Sequence, residues 1–164
     1  MASASGLGYE QRIRCRDRVV QAAKLALANK AEVHYTMGGR RWDGIKNRRN
    51  AARGEFPTHA DCSSFVTWCL WNGLFLRYGL GDSVNGHDWK AGFTGTLLDH
   101  GRRVSQTSQA LRGDLVFYSV PSPHVTIIVA RKDGVPMVIS HGLESGPHYR
   151  KFNYRTPTQI RRYI

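Results

Sequence analysis

Residues 61–71, with the sequence DCSSFVTWCLW, carry the clearest structural pattern in the chain. Asp61 is of a residue type that caps the free N–H groups at the start of a helix. The apolar residues after it recur at i, i+1, i+4 and i+5, a spacing that places them on one face of a helix. They are Phe65, Val66, Cys69 and Leu70. The pattern predicts a buried helix that begins at or just before Cys62.

A cysteine in the first turn of a helix is well placed to act as a nucleophile. The reactive species is the thiolate, and both a helix N-terminus and a neighbouring imidazolium lower the pKa of a thiol. Free N–H groups of the same turn can hold the oxyanion that forms when a carbonyl is attacked. We therefore predict that Cys62 is a catalytic nucleophile. Cys69 is interpreted as a core residue and Cys15 as incidental.

The segments around this helix indicate an α+β fold. Apolar residues at helical spacing predict a first helix over residues 9–29, and the glycine-containing segment 31–60 is interpreted as a loop. Residues 72–86 are interpreted as irregular and residues 87–100 as a third, shorter helix. The strand patterns follow these helices rather than alternating with them, which is typical of α+β folds.

Short β-branched and aromatic runs, bounded by turn residues, predict an antiparallel meander in the second half of the chain. They are residues 115–118, 125–129 and 137–139, extended by 149–154 and 159–164. We expect the helix that carries the nucleophile to pack on a sheet of five or six strands. Residues 9–164 are expected to form a single domain, preceded by a flexible tail of residues 1–8.

Two histidines are candidates for activating the thiol. His124 begins an apolar strand after a proline turn, and His141 ends the next strand. Because the start of one antiparallel strand lies beside the end of its neighbour, these side chains are expected to be neighbours. We predict that His124 is the general base and that His141 orients it, as the third residue does in other triads. A change of register would bring His148 to that position instead.

Five segments form a recognisable set within residues 15–145. They are HYTMGG at 34–39, DCSSFV at 61–66, RGDLVFY at 112–118, HVTIIV at 124–129 and SHG at 140–142. Together they resemble the NlpC/P60 family of cell-wall peptidases. That family has a Y-x-x-G-G segment, a D-C-S-G-F nucleophile helix, a G-D-L-x-F strand, an H-V-x-I strand with the base, and a polar residue on the next strand.

The resemblance implies a papain-like fold and a peptidoglycan hydrolase that needs no cofactor. Cys62 would attack a peptide carbonyl, His124 would act as base and then acid, and His141 would orient His124. The residues implied to line the pocket for the stem peptide and its free amine are Tyr35, Asp61 and Ser63. The bond that the family commonly cleaves joins γ-D-glutamyl to diaminopimelate or lysine.

Three features depart from the family pattern. Ser64 stands where the family usually has glycine, which would narrow the wall behind the nucleophile. The segment between Tyr35 and Cys62 is long and basic, and the gap between His124 and His141 holds an extra turn at residues 132–135. The last two bear on which bond is cleaved, whereas the Cys–His chemistry is unaffected.

The chain is strongly basic, with 24 lysines and arginines against 12 aspartates and glutamates and a net charge of +12. Such a charge attracts polyanions, which include nucleic acids, anionic lipids and the polymers of a bacterial wall. We expect electrostatic attachment to anionic wall polymers, no stable nucleic-acid complex and a monomer. The three cysteines, an odd number, cannot form a complete set of disulfides, so reduced thiols are expected.

The sequence also suggests where the protein is made and acts. Residues 1–8 lack the basic start and apolar centre of a signal peptide, and no apolar run is long enough to span a membrane. With the family resemblance, this predicts a phage endolysin or lysin that is made in the host cytoplasm and reaches the wall after release or delivery.

Other interpretations remain open. The same Cys–His pair could belong to a CHAP-type amidase, which releases the stem peptide from muramic acid, or to an inactive relative that only binds the wall. The basic charge also fits a nucleic-acid-binding module, although no signature of such a module accompanies it. Two sets of metal-ligand residue types lack the HExxH spacing, so no metal is predicted. They are His59, Asp61 and Cys62, and His141, Glu144 and His148.

Overall fold

The structure, a computed structural model, describes residues 4–143 and 146–164. Within these residues the chain forms four α-helices and eight strands. The helices are α1 (Tyr9–Ala28), α2 (Asp43–Lys46), α3 (Cys62–Tyr78) and α4 (Thr94–Asp99). The strands are β1 (His34–Tyr35), β2 (His59–Ala60), β3 (Arg102–Val104), β4 (Leu115–Tyr118), β5 (His124–Lys132), β6 (Val135–Ser140), β7 (His148–Lys151) and β8 (Pro157–Arg162).

A six-stranded antiparallel sheet has the strand order β3-β8-β4-β5-β6-β7. Strands β4 to β7 form the predicted meander, because each pairs antiparallel with the next. The last strand, β8, pairs with the other side of β4 and carries β3 at the edge. The α+β class and the sheet of six strands are confirmed. The segment predicted to be loop, residues 31–60, contains a short parallel pair formed by β1 and β2.

The two long helices pack against each other, and the larger apolar core lies between them and the sheet. At Gly73 the helices approach so closely that a Cβ atom would lie 2.5 Å from a Val19 methyl and 2.8 Å from the Cys15 carbonyl oxygen. Helix α3 continues through this glycine and ends at Tyr78, and the φ of 65° at the next residue, Gly79, suits a helix C-cap. The prediction that residues 72–86 are irregular is wrong for this part, because the glycine serves helix packing.

The third helix is shorter than predicted, since α4 begins only at Thr94. The carboxylate of Asp82 accounts for the difference by accepting hydrogen bonds from four backbone N–H groups. The donors are Val84, Asn85, His87 and Trp89, at 2.8–3.0 Å. A side chain that binds backbone donors in this way competes with helix formation. The loop that results leads to one wall of the groove described below.

The N-terminal segment contributes to the core. Ala4–Gly6 form a 3-10 turn, and the side chains of Ala4 and Leu7 are buried. This packing differs from the expected tail of residues 1–8, whose first three residues lie outside the described part of the chain. In that part, no helix combines the length and the apolarity needed to cross a membrane.

Candidate active site

A groove of about 890 Å³ lies where the start of α3 meets the start of β5. Five of the six residues predicted for the site line it: Tyr35, Asp61, Cys62, Ser63 and His124. Three exposed apolar side chains, those of Met37, Phe93 and Leu143, also belong to its lining. The structure thus brings the predicted nucleophile and base to one cavity, which we call the Cys62 groove.

The first turn of α3 fixes the position of the nucleophile. Asp61 is the N-cap, and its carboxylate accepts a hydrogen bond of 2.7 Å from the Ser64 N–H. In return, the Asp61 N–H donates to the Ser64 hydroxyl at 2.9 Å. These reciprocal bonds form a capping box, which satisfies two donors at the start of a helix. Ser64 therefore helps to hold Cys62 as the first helical residue.

The carboxylate of Asp61 is also occupied on its other side. Its second oxygen accepts a bond of 2.6 Å from the guanidinium of Arg41, and Arg41 also donates to the carbonyl of Gly92 at 3.0 Å. The Ser63 hydroxyl adds a third contact, at 3.0 Å. The Asp61 side chain is only 7% exposed. Asp61 is thus a helix cap in an ion pair, and it also lines the groove, where the resemblance implied a pocket for the stem peptide and its free amine.

The sulfur of Cys62 lies between the helix start and β5. The backbone N–H groups of Val125 and Ser63 and the side chain of Thr94 are within hydrogen-bonding range of it. Burial raises the pKa of the Cys62 thiol and is the largest influence on it, and the Asp61 carboxylate raises it further, while the three donors lower it. The net result is a pKa above the ordinary cysteine value, so the thiol depends on a base to release its proton.

The imidazole ring of His124 makes its polar contacts on the face of the sheet opposite to α1 and α3. Its Nε2 atom lies 2.8 Å from the hydroxyl oxygen of Ser140, which in turn lies 3.0 Å from the hydroxyl of Tyr154. Tyr118 packs beside the imidazole, with ring centroids 6.0 Å apart. His124 is 5% exposed, so its ring is both buried and fixed in orientation by polar partners.

His141 occupies a different place from the predicted one. Its ring is fully buried against α3, with its centroid 5.6 Å from those of Tyr35 and Phe65, and its Nε2 lies 3.0 Å from the carbonyl oxygen of Ala60. Ser140 projects from the opposite face, because side chains alternate along a strand. The contact with His124 Nε2 is made by Ser140, whereas His141 was the residue predicted to orient His124.

The remaining predicted residues lie as follows. The ring of Tyr35 is half-buried, and burial is the main cause that raises the pKa of its hydroxyl; the neighbouring Cys62 and Asp61 add to the increase. His148, the alternative to His141, is paired with Ser140 in the sheet, and its Nδ1 lies 2.7 Å from the Gly146 carbonyl oxygen.

The other two cysteines are buried free thiols outside the groove. Burial raises the pKa of Cys15 to about 12 and that of Cys69 well above its ordinary value. Among the described residues, no three His, Cys, Asp or Glu side chains are grouped as a metal site would require. One member of a candidate metal set, Glu144, lies outside the described residues.

The sequence-based prediction missed several polar residues of the site. They are Arg41, Ser64, Thr94, Ser140 and Tyr154. Ser64 could have been found, because a polar residue three positions after the cap is the signature of a capping box. Ser140 lies in the SHG segment to which the polar partner was assigned, one residue before the predicted His141. Arg41, Thr94 and Tyr154 make contacts between distant segments, for which the sequence carries no local pattern.

Comparison with solved structures shows which known fold this is. The chain superposes on NlpC2 from Trichomonas vaginalis with a TM-score of 0.58 and 16% identity, covering 99% of this chain and 50% of that one. For NlpC1 from the same organism the TM-score is 0.56 and the identity 17%, with 90% of this chain and 44% of that one covered. The chain therefore spans about half the length of these two proteins.

A third structure is closer to this chain in size. It is the NlpC/p60 domain of the peptidoglycan hydrolase SagA, with a TM-score of 0.54, 21% identity, and 90% of this chain and 97% of that one covered. No family model matches the sequence, and no curated protein matches it either. The structural similarity shows that the chain has the fold of NlpC/P60 domains, as its sequence motifs predicted.

Proposed function

We propose that this protein is a cysteine peptidase that hydrolyses amide bonds in the peptides of bacterial peptidoglycan. The observation that carries the proposal is the Cys62 groove, where a thiol at the start of a buried helix shares one cavity with a buried, oriented imidazole. The NlpC/P60 fold supports it, since one protein with this fold is described as a peptidoglycan hydrolase.

The reaction would begin with proton transfer from the Cys62 thiol to His124. In the tautomer that donates from Nε2 to the Ser140 hydroxyl, Nδ1 carries no proton and is the nitrogen that accepts this one. The thiolate then attacks the carbonyl carbon, and a C–S bond forms as the carbonyl oxygen becomes an oxyanion. Since the cap uses the N–H of Ser64, the N–H of Cys62 is the donor best placed to stabilise that oxyanion.

The second half of the reaction returns the enzyme to its starting state. The imidazolium of His124 donates its proton to the leaving nitrogen as the C–N bond breaks, and an acyl-enzyme remains on Cys62. Water then attacks this thioester while His124 accepts a proton from the water. The C–S bond breaks, and the sulfur regains its proton from His124.

The raised pKa of the Cys62 thiol gives His124 a specific part in this scheme. Because burial favours the neutral thiol, a stable thiolate does not form by itself near neutral pH. The imidazole creates the thiolate, and the donors from Val125 and Thr94 stabilise it once formed.

The bond we propose joins γ-D-glutamyl to diaminopimelate or lysine in the stem peptide, which is the bond implied by the family resemblance. We further propose that the enzyme serves phage-driven lysis and reaches the wall after release from the host cytoplasm. Both statements are more specific than the fold, and each needs its own test.

The decisive experiment is digestion of purified peptidoglycan by the wild type and by two alanine variants. Cys62→Ala is expected to abolish the release of soluble fragments. Cys69→Ala removes an identical thiol seven residues later on the same helix, from a fully buried position outside the groove, and is expected to retain activity. Equal digestion by the wild type and Cys62→Ala would refute the mechanism.

Mass spectrometry of the fragments identifies the bond. New amino termini of diaminopimelate or lysine indicate the proposed endopeptidase. Free amines of L-alanine would instead indicate an amidase that separates the stem peptide from muramic acid.

A further inference from the structure

A second groove lies outside the proposed active site, and its walls are rich in arginine. Two adjoining cavities, of about 440 and 290 Å³, share Arg12, Arg102, Arg162 and Ile164 in their walls and so form one groove. Together, six arginines line it: Arg12, Arg16, Arg102, Arg112, Arg131 and Arg162. None of the described lining side chains is acidic, and the main-chain oxygen of Ile164 accepts a hydrogen bond from Arg16. We call this region the arginine groove.

Three of the six arginines have acidic partners. Arg16 and Arg162 are only 11% and 10% exposed and bind the buried carboxylate of Asp114, at 3.4 and 2.7 Å. Arg112 forms an exposed pair with Asp17 at 2.7 Å. Asp114 thus offsets one of these two positive charges and holds both guanidinium groups in place, while its own side chain is fully buried.

The other three arginines retain uncompensated charge. Within the described residues, no carboxylate lies within ion-pair distance of Arg12, Arg102 or Arg131. Arg131 is held by carbonyl oxygens of Gly134, Thr107 and Ala110 at 2.7–3.1 Å, and the carbonyl oxygen of Leu7 binds Arg12 at 3.0 Å. Carbonyl groups orient a guanidinium without cancelling its charge, so Arg12 and Arg131 are positioned in advance for an anion.

The arginine groove is spatially separate from the Cys62 groove. The two share no lining residue. His124 and Arg131 stand seven residues apart on β5, which corresponds to roughly 23 Å along an extended strand. A ligand in one groove can therefore leave the other accessible.

We infer that the arginine groove binds a flexible phosphodiester polymer without bases, of the kind that decorates bacterial walls. The repeated charges of such a chain match several separated guanidinium groups, and guanidinium suits phosphate geometry. Apolar side chains of Ile13 and Leu111 between the arginines suit the carbon backbone of a polyol. This binding site is independent of the proposed hydrolysis, although the choice of a wall polymer as the ligand is in keeping with it.

Nucleic acid fits the groove less well. Proteins that bind single strands stack bases on several aromatic side chains, and among the described lining residues Tyr9 is the one exposed aromatic. A duplex would need a helix or strand that enters its groove, whereas this surface is concave and small. Charge alone would attract both polymers, so the test compares them directly.

The test uses fluorescence titration of the full chain with short synthetic poly(glycerol phosphate) and, separately, with duplex DNA of equal total charge. The double variant Arg102→Gln/Arg131→Gln removes two uncompensated cations from the groove. Its matched control is Arg103→Gln/Lys132→Gln, which removes the same charge from the same strands. Those two exposed side chains are not among the residues that line the groove, since neighbours on a strand face opposite sides.

We expect the groove variant to weaken poly(glycerol phosphate) binding on the order of tenfold, and the control less than twofold. The dependence of log Kd on log salt should become shallower by about one for each arginine removed. Hydrolysis of a short soluble stem peptide should be the same in both variants. Because Arg131 also bonds the 107–110 turn, the single variant Arg102→Gln checks that the loss does not come from unfolding.

Three results would overturn the inference. One is equal weakening by the two double variants, which would mean that binding follows overall charge. Another is tighter binding of duplex DNA that is lost with Arg102 and Arg131, which would assign the groove to nucleic acid. The third is the absence of binding to poly(glycerol phosphate) at low salt. None of these depends on whether Cys62 is active.

Discussion

His124 and His141 lie on opposite faces of the sheet and have different surroundings. On the face away from the long helices, His124 is bound at Nε2 by the Ser140 hydroxyl and lines the Cys62 groove. On the helix-facing side, His141 is fully buried between Tyr35 and Phe65. Both rings are buried and both make a hydrogen bond. They differ in whether the ring reaches the cavity that holds the thiol.

This difference separates a chemical role from a packing role. A base must reach the proton that it removes, so burial and hydrogen bonding alone do not make a histidine catalytic. His141 connects the sheet to the carbonyl of Ala60 in β2, and thereby supports the segment immediately before Asp61. We expect substitutions on the two faces to affect different measurements, activity on one side and stability on the other.

The largest effect on activity after loss of the nucleophile itself is expected for His124→Gln. Glutamine keeps a polar group near Ser140 but cannot accept and return a proton at neutral pH. We expect hydrolysis of peptidoglycan to fall on the order of a thousandfold, a typical contribution of general acid–base catalysis. The unfolding temperature should stay close to that of the wild type. Activity within tenfold of the wild type would show that another group acts as the base.

In His124→Gln, the ionisation of the Cys62 thiol can be followed in the absence of the imidazole. Iodoacetamide reacts with thiolate, and burial, together with Asp61, raises the pKa of the Cys62 thiol. In His124→Gln, alkylation of Cys62 should therefore increase only as the pH rises above the ordinary thiol pKa, whereas in the wild type it should begin at lower pH. Peptide mapping should find Cys15 and Cys69 unmodified in the folded protein, since both are fully buried. Identical pH profiles of alkylation for the two proteins would show that His124 does not influence the ionisation of the Cys62 thiol.

His141→Ala is expected to act chiefly on stability. It removes a fully buried ring and leaves the Ala60 carbonyl without this donor, changes that together cost about 3 kcal/mol. Urea unfolding would measure the loss. Activity per folded molecule should fall far less than in His124→Gln, and His141→Gln, which can still donate to the carbonyl, should recover part of the stability. A thousandfold loss of activity at wild-type stability would show that His141 takes part in catalysis, as the sequence predicted.

Ser140→Ala tests the contact with His124 on the other face of the sheet. Loss of the hydroxyl leaves His124 without this Nε2 partner, and we expect kcat to fall about tenfold, or about 1.4 kcal/mol. The free energy of unfolding should change less than the activity does, because the main effect is loss of the contact that orients the imidazole ring. Ser140→Thr keeps a hydroxyl on the same atom and serves as the control. An unchanged kcat in the alanine variant would mean that the serine only packs.

The different positions of Ser140 and His141 also show how much of the site could be predicted from the sequence. Cys62 and His124 follow from local patterns, a capped helix start and an apolar strand after a proline turn. The sequence placed the polar partner within residues 140–142, but a shift of one residue moves a side chain to the other face of a strand. The ion pair of Arg41 with Asp61 joins an irregular segment to the helix cap. Gly73 was included in the segment predicted to be irregular because the residue that it packs against, Cys15, is distant in sequence.

The smallest effect is expected for Tyr154→Phe, which extends the comparison one residue beyond Ser140. The hydroxyl of Tyr154 lies 3.0 Å from that of Ser140, while its ring packs edge-on against Tyr118 with centroids 5.5 Å apart. Phenylalanine keeps the ring contact and removes only the polar link, so stability should be nearly unchanged and kcat should fall about threefold, less than 1 kcal/mol. In the Ser140→Ala background the link is already broken, and the second substitution should have no further effect on kcat. Additive losses in the double variant would show that Tyr154 acts on the groove by a route that does not pass through Ser140 and His124.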